Sequence, residues 1–593
     1  MDPIIFYVGI GLTVFTMIPV VWQLARHPRG LFVLFFAEMW ERFSFYGMRG
    51  LLIFYLTQHF LMDDEVANGQ YASYNALVYL LPLVGGMLAD RYLGTRKAIA
   101  FGAILLVLGH FTMGYEGPAA VQVLKQGGNE YVFEVTGRGD NQVVRLKVGN
   151  EKYEYGPSAD GGLEIKGLPA DAPLPSVLPK DTYELTVRPA DKIFTDVLFL
   201  ALALIIMGVG FLKANISSIV GQLYAQEDPR RDAGFTLYYY GINLGAFWAT
   251  IATGALNEAY GWWAGFGAAG VGMLAGLIVF GLGKSWLEGK GEPPDPVRLA
   301  KPVVGPINTE WLIYIGGILG VGLIWLVVQN HHLVETVLPW ASVVMLAYFL
   351  FYMVTKCTWV ESQRLILAIV LIASSAVFWT LFEQAGSSLN QFAQRHTHLT
   401  VAGVTLSSPQ VQSFNAGMIL LLAPVFAFLW AVLGRLNLDP NPALKFGLAL
   451  IQAGASFYVL VWSATLVDDT FRVPLFVLAL TYLLQTTGEL CLSPVGLSQM
   501  TKLAPSLLIS TVMATWFLAS SVAHIFAGLL AKMTATTTVA GQVLDPEKAF
   551  ATYMSTFEFI GQIGLAAGAA LIILSPILRY LAHDRVLPKA KGE

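Results

Sequence analysis

The sequence predicts an all-α polytopic membrane protein. The first reason is composition. Only 13% of the 593 residues are charged, 55% are hydrophobic, and the mean hydropathy is +0.60. A soluble domain is about 25% charged, so this chain lacks the polar surface to cover a globule in water. The second reason is length of apolar run. A spanning helix needs roughly 20 apolar residues. Such runs lie at 4–24, 30–58, 71–91, 98–115, 194–218, 233–254, 263–283, 311–329, 336–355, 365–384, 410–433, 445–466, 473–495, 508–531 and 554–580. They are too long and too continuous for the short alternating strands of a closed barrel.

The first run carries no signal-peptide pattern. The chain begins Met-Asp-Pro, and the basic cluster Arg26, His27, Arg29 follows the apolar stretch. A signal peptide has its basic flank first and a small-residue cleavage site last. The expectation is a retained helix with its N-terminus outside. Basic residues then fix the orientation of the rest. With Arg26 and Arg29 in the cytoplasm, 20 Lys and Arg fall in cytoplasmic segments, including Arg585, Lys589 and Lys591 of the tail. Only 4 fall in the opposite short loops, namely Arg395, Arg472, Lys532 and Lys548. The C-terminus is therefore expected in the cytoplasm.

Residues 116–192 break the pattern of short loops. The runs 130–135 and 143–148 alternate apolar with polar side chains, and Gly137-Arg138-Gly139-Asp140-Asn141 lies between them. Period-two alternation bounded by Gly, Asn and Asp predicts β-hairpins, hence a small β-rich extramembrane insert. The Arg138-Gly-Asp140 triplet is read as a turn. Cys357 and Cys491 fall in apolar stretches and are expected as free thiols. The net charge of −4 is small and says nothing of nucleic acid.

Seven charges sit inside apolar runs: Glu38, Glu41, Arg42, Arg49, Lys213, Glu383 and Glu489. Each costs about 2.5–3.5 kcal/mol near mid-membrane unless it faces a polar cavity. Glu38, Glu41, Arg42 and Arg49 fall on one face of one helix, with Phe45 and Tyr46 beside them. Structural ion pairs could explain one such pair, but they explain seven charges on four helices poorly. If all seven share a cavity, four acids meet three bases and one carboxylate is left over. An unpaired buried carboxylate takes up a proton.

These residues resemble a known family. Glu38-Met-Trp-Glu41-Arg42-Phe43-Ser44-Phe45-Tyr46-Gly47 is similar to the ExxERFxYYG signature of proton-dependent oligopeptide transporters, of the major facilitator superfamily. Phe45 stands where the family usually has its first Tyr. Gly85-Gly-Met-Leu-Ala-Asp90-Arg91-Tyr-Leu-Gly94-Thr-Arg96-Lys97 resembles the superfamily's loop motif, whose glycines allow close helix approach and whose charges latch the cytoplasmic side. Further likenesses follow in order at 208–218, 235–245, 378–384 and 488–497. Residues 311–329 and 336–355 resemble the extra helix pair of bacterial members. The resemblance implies two six-helix halves, 29–115 with 193–284 and 361–583. It also implies a linker with the extra pair at 285–360, and a place in the bacterial inner membrane. The helix within 1–28, the insert at 116–192 and the cytoplasmic tail 584–593 stand outside that pattern.

The resemblance also implies roles. Arg49 and Lys213 meet a peptide carboxylate, and Glu489 meets its amine. Tyr46, Tyr79, Asn243, Asn415 and Trp516 complete the pocket. Ala416, where the family often has Pro, weakens the match at Asn415, and core packing is the plainer reading of Tyr79 and Trp516. Glu38, Glu41, Arg42 and Glu383 couple the proton. Arg49–Glu383 and Lys213–Glu489 form gating ion pairs, each holding one side of the cavity shut. The expected activity is proton-coupled import of di- and tripeptides. The expected partners are peptides, protons and lipid, with no cofactor beyond the proton gradient, no metal, no nucleic acid and no obligate protein partner. Two readings compete: the same scaffold carrying another small anion or modified amino acid, or a nutrient receptor using the insert. No G-x-x-x-x-G-K-[ST] phosphate loop supports an ATP-driven pump, and an enzyme is not expected. The charges form no repeated filter of the kind a channel needs.

Overall fold

The computed structural model describes residues 2–225, 228, 230–505 and 508–583. The tail 584–593, with Arg585, Lys589 and Lys591, lies outside them. The chain opens with α1 (Pro3–Leu24), α2 (Arg29–Phe54) and α3 (Asp64–Leu80), and a short α4 (Pro82–Leu88) restarts at a proline. Then come α5 (Thr95–Met113), α6 (Lys192–Gln222), α7 (Arg231–Tyr260) and α8 (Trp262–Leu282). A short α9 (Pro296–Ala300) leads to α10 (Thr309–Val328) and α11 (His331–Thr355). The remainder is α12 (Trp359–Phe382), short α13 (Ser388–His396) and α14 (Ser408–Val411), α15 (Ser413–Arg435), α16 (Pro442–Trp462), α17 (Leu475–Leu503), α18 (Ile509–Lys532) and α19 (Pro546–Leu581).

Among the described residues, 13 helices are long and apolar enough to cross a membrane. The chain is a mostly helical, multi-pass membrane protein. Two further long helices, α2 and α7, fall below that threshold for a physical reason. α2 carries Glu38, Glu41, Arg42 and Arg49, and Tyr, Asn and Gly dilute the apolar residues of α7. Helix ends are fixed by local chemistry. Asp2 caps α1 by accepting from the Ile4 amide at 2.8 Å. Thr358 and Glu361 close α12 with a reciprocal capping box. Cys491 is buried in α17, whereas Cys357 lies in the turn between α11 and α12 rather than in a helix. Both are free thiols.

One apolar core is built chiefly by α2–α8 and reaches α18 through Leu518, Val522 and Ile525. A second is built by α12, α13 and α16–α19. The two bodies meet at α3–α18, where Ser521 Oγ donates to the Ala76 carbonyl at 2.7 Å, and at α7–α15, where Phe247 and Ile251 pack on Ala416 and Leu420. The α1 helix leans on α7: Thr16 Oγ1 lies 2.7 Å from the Tyr240 hydroxyl, and Trp248 donates to Thr13 at 2.9 Å.

Close helix approach depends on glycine at two seams. A Cβ on Gly85 would lie 2.0 Å from the Gly210 carbonyl oxygen. One on Gly454 of α16 would lie 2.6 Å from the Leu565 amide of α19. Backbone cannot step aside as a side chain can. Gly454→Leu is therefore expected to cost at least about 1–3 kcal/mol, the scale of overpacking, seen as lower thermal stability in detergent. Gly267→Ala, whose Cβ meets nothing within 4 Å, is the control and should leave stability unchanged. The charged part of the loop motif binds the linker: Arg96 pairs with Glu292 and Lys97 with Glu310, each at 2.6 Å. Asp90 and Arg91 make no ion pair among the described residues.

The insert is a seven-stranded antiparallel sheet: β1 (Val121–Gln126), β2 (Asn129–Thr136), β3 (Val143–Val148), β4 (Glu151–Pro157), β5 (Leu163–Lys166), β6 (Val177–Leu178) and β7 (Glu184–Arg188), in the order β6-β5-β4-β3-β2-β1-β7. The alternation read in the sequence sets the register, with Phe133 opposite Leu146 and both buried. That inner face packs on Val539, Ala540 and Leu544, from the loop before α19. The turn at Arg138-Gly-Asp140 is not free. Arg138 donates to the Ala259 carbonyl of α7 at 2.9 Å. Asp140 accepts from the Ser408 amide at 2.6 Å and from Gln394 at 2.8 Å.

Candidate functional site

The polar stripe of α2 faces the bundle interior. Glu38, Glu41, Arg42 and Arg49 are all at most 5% exposed. Arg42 lies 3.2 Å from Glu38 and 2.5 Å from Glu41. Charge contact is not the same as a satisfied hydrogen bond. Glu41 Oε1 and Glu38 Oε2 are buried with no hydrogen-bond donor among the described residues. Phe45 is 1% exposed, with its ring 5.3 Å from the Arg42 guanidinium and 6.0 Å from that of Arg49. It therefore fills the space between the two cations with an apolar face. Tyr46 sits beside it, its ring 5.2 Å from that of Phe45.

One turn further, Arg49 crosses to the second body. Its guanidinium is ion-paired with Glu383, where α12 ends, and its Nε donates to the Tyr71 hydroxyl at 2.8 Å. His524 of α18 approaches the same carboxylate at 3.9 Å and packs its ring on Tyr79 at 4.6 Å. The expected Arg49–Glu383 pair is thus formed in this conformation.

The expected Lys213–Glu489 pair is not formed. Lys213 places its Nζ 3.5 Å over the Tyr79 ring, a cation–π contact. Glu489 accepts instead from Asn415 at 3.2 Å, and Asn415 also donates to Thr486 at 2.9 Å. Among the described residues neither Lys213 nor Glu489 has an oppositely charged partner. Asn243 is buried but donates to its own helix, to the Tyr239 carbonyl at 3.0 Å. Trp516 is half-buried against Gly496, whose Cβ would meet its ring at 2.3 Å. The structure thus leaves Arg42 with two acids and Arg49 with one, while Lys213 and Glu489 each stand without an ion pair among the described residues.

Two neighbours of the site were not among the residues picked out from the sequence. Tyr71 belongs to a stripe of Tyr71, Asn75 and Tyr79 at helical spacing on α3, which periodicity could have revealed. His524 is an ionisable group inside an apolar run, and so met the criterion applied to the seven charges.

The sequence signature of the PTR2, POT family matches residues 96–549, well over half the chain. The chain belongs to the POT family. This POT-family chain is 32% identical over 564 residues to the uncharacterized transporter YclF of Bacillus subtilis (strain 168), with 93% of this chain and 94% of that one covered. It is 27% identical over 562 residues to dipeptide and tripeptide permease A of Pectobacterium carotovorum, with 94% and 93% covered. Its fold superposes on the crystal structure of a variant of the peptide transporter POT in complex with alafosfalin. That match has a TM-score of 0.68 at 32% identity, covering 94% of this chain and 96% of that one. The POT-family chain is a transporter and not an enzyme. The family match begins after Glu38, Glu41, Arg42, Arg49 and Tyr79, and contains Lys213, Glu383 and Glu489.

Proposed function

We propose that this transporter imports di- and tripeptides together with protons by alternating access between two six-helix halves. The observation that carries this reading is the pair of unmatched charges. Lys213 and Glu489 are a base and an acid on opposite bodies, each without an ionic partner among the described residues. A peptide is a zwitterion with a carboxylate at one end and an amine at the other. In this reading Lys213, with Arg49, meets the carboxylate and Glu489 meets the amine. Tyr46, Tyr79, Asn243, Asn415 and Trp516 shape the space between.

The halves are the helices of 29–115 with 193–284 and those of 361–583. The pair α10 and α11 is inserted between them, and α1 is one helix more, which makes fifteen spans. Basic residues place the N-terminus outside and the C-terminus in the cytoplasm of a bacterial inner membrane. The insert then lies on the outer face. Arg49–Glu383 is near the outer end of α2 and closes that side, while Lys213 and Glu489 stand apart toward the cytoplasm. That is the arrangement of an inward-facing carrier. The proton acts through Glu38, Glu41 and Arg42, with Glu383 as a second acceptor. Substrate carboxylate or a proton competes for the gating pairs, which couples binding to rocking of the halves.

The test is uptake of labelled dialanine into proteoliposomes under an inward proton gradient. Uptake should collapse when the gradient is dissipated. Unlabelled di- and tripeptides should compete, and tetrapeptides should not. Uptake indifferent to the gradient, or tetrapeptides competing as well as dipeptides, would overturn the reading.

A further inference from the structure

We infer that the insert is a latch on the outer end of the bundle: its Arg138–Asp140 turn ties the two bodies together and must release the second body before that end opens. That the bodies part at this end rests on the import reading above. The insert is threaded between α5 and α6, both of the first body. Covalently it can move only with that body. Its root is held there too, where the Ala120 amide donates to the His59 carbonyl at 2.8 Å.

The turn is pinned on both sides. Arg138 donates to the Ala259 carbonyl of α7, in the first body, at 2.9 Å. Two residues on, Asp140 reaches the second body. Its Oδ2 accepts from the Ser408 amide and hydroxyl at 2.6 and 2.9 Å, and its Oδ1 accepts from Gln394 at 2.8 Å. Hydrogen bonds to a carboxylate are roughly twice as strong as neutral ones. Gln394 belongs to α13, whose Leu389, Phe392 and Ala393 are buried in the second core. It cannot follow the insert if the bodies part. The sheet adds a second hold. Phe133 and Leu146 share an apolar cluster with Val539, Ala540 and Leu544, and the Ala540 amide donates to Gln122 at 3.4 Å.

The latch does not act alone. Beneath it the bodies are joined directly, by Arg395 to Asp64 at 2.6 and 2.8 Å and by Asn390 to the Gly50 carbonyl at 3.0 Å. Loosening the turn should therefore shift the balance between closed and open without abolishing closure. Fastening it permanently should stop the cycle.

Both changes can be made on the full chain in proteoliposomes. Asp140→Cys with Gln394→Cys places a thiol on each side of the contact, and a short bis-methanethiosulfonate joins them. The joined protein is expected to lose dialanine uptake driven by the proton gradient, and reductant should restore it. Either single cysteine variant, given the same reagent, should still transport. The loosening arm is Asp140→Asn, which keeps the shape but has one acceptor oxygen where Asp has two. At least one charge-assisted contact is then lost. A cysteine introduced by Asn390→Cys should react about tenfold faster with an impermeant thiol reagent than it does with Asp140 intact. A joined protein that transports as fast as the single variants overturns the latch while the import reading stands. A pair that the reagent cannot join, or reactivity at position 390 indifferent to Asp140→Asn, does the same. If the wild type takes up no dialanine, the import reading falls and the latch falls with it.

Discussion

Glu41→Gln is expected to abolish uptake driven by the proton gradient while leaving counterflow exchange of peptide partly intact. The two assays separate because only one needs a proton to be carried. Gln has the shape of a protonated Glu and cannot release a proton. The fold should survive the change, because Arg42 keeps Glu38 at 3.2 Å as its counter-charge. Glu41 is the more deeply buried of the two acids, and its Oε1 has no hydrogen-bond donor among the described residues. Such a carboxylate gains most from alternately holding and losing a proton. The expected fall in gradient-driven uptake is about 100-fold, the lower scale on which removal of a proton-transfer group acts. Unimpaired gradient-driven uptake by the variant would remove Glu41 from the coupling group. Loss of exchange and uptake together would make it a structural or binding residue instead.

The sequence made the helices legible because length and apolarity alone specify them in lipid. It made the insert legible for a similar reason. A one-residue slip between 130–135 and 143–148 would turn Phe133 and Leu146 to the wrong face. The interior charges were legible as misplaced, but their pairing was not. Arg42 meets Glu38 on its own helix, at the i,i+4 separation that brings side chains together. Lys213 and Glu489 belong to different bodies, and whether they touch depends on how far those bodies have rocked. No property of either residue's neighbourhood in sequence records that. The docking of Arg138 and Asp140 was hidden for the same reason. A Gly-Arg-Gly-Asp turn specifies its own bend, but Ala259, Gln394 and Ser408 come to it only through the packing of the whole chain.

The Arg49–Glu383 pair is where stability and transport can be told apart. Removing one partner should do two things at once. Arg49→Met leaves Glu383 buried with His524, at 3.9 Å, as its one remaining ion-pair contact among the described residues. An uncompensated buried charge costs about 3–5 kcal/mol, so the variant should unfold at lower temperature and transport nothing. Glu383→Met should behave alike, since it strands the guanidinium. The double variant Arg49→Met/Glu383→Met removes both charges and fills the space with apolar atoms, which is often neutral or stabilising. Its thermal stability should return to near that of the wild type. Its uptake should not, because in the proposed mechanism the pair closes the outer side and Arg49 also receives the substrate carboxylate. Opening of that side has its own readout. Asn390 is 1% exposed and donates to the Gly50 carbonyl at 3.0 Å, on the same seam between the two bodies. A cysteine placed there by Asn390→Cys should be protected from a membrane-impermeant thiol reagent in otherwise wild-type protein and labelled in the double variant. A double variant that regains stability and uptake together would make the pair a brace with no part in gating. One that stays as unstable as the single variants would show that the two charges do not compensate each other.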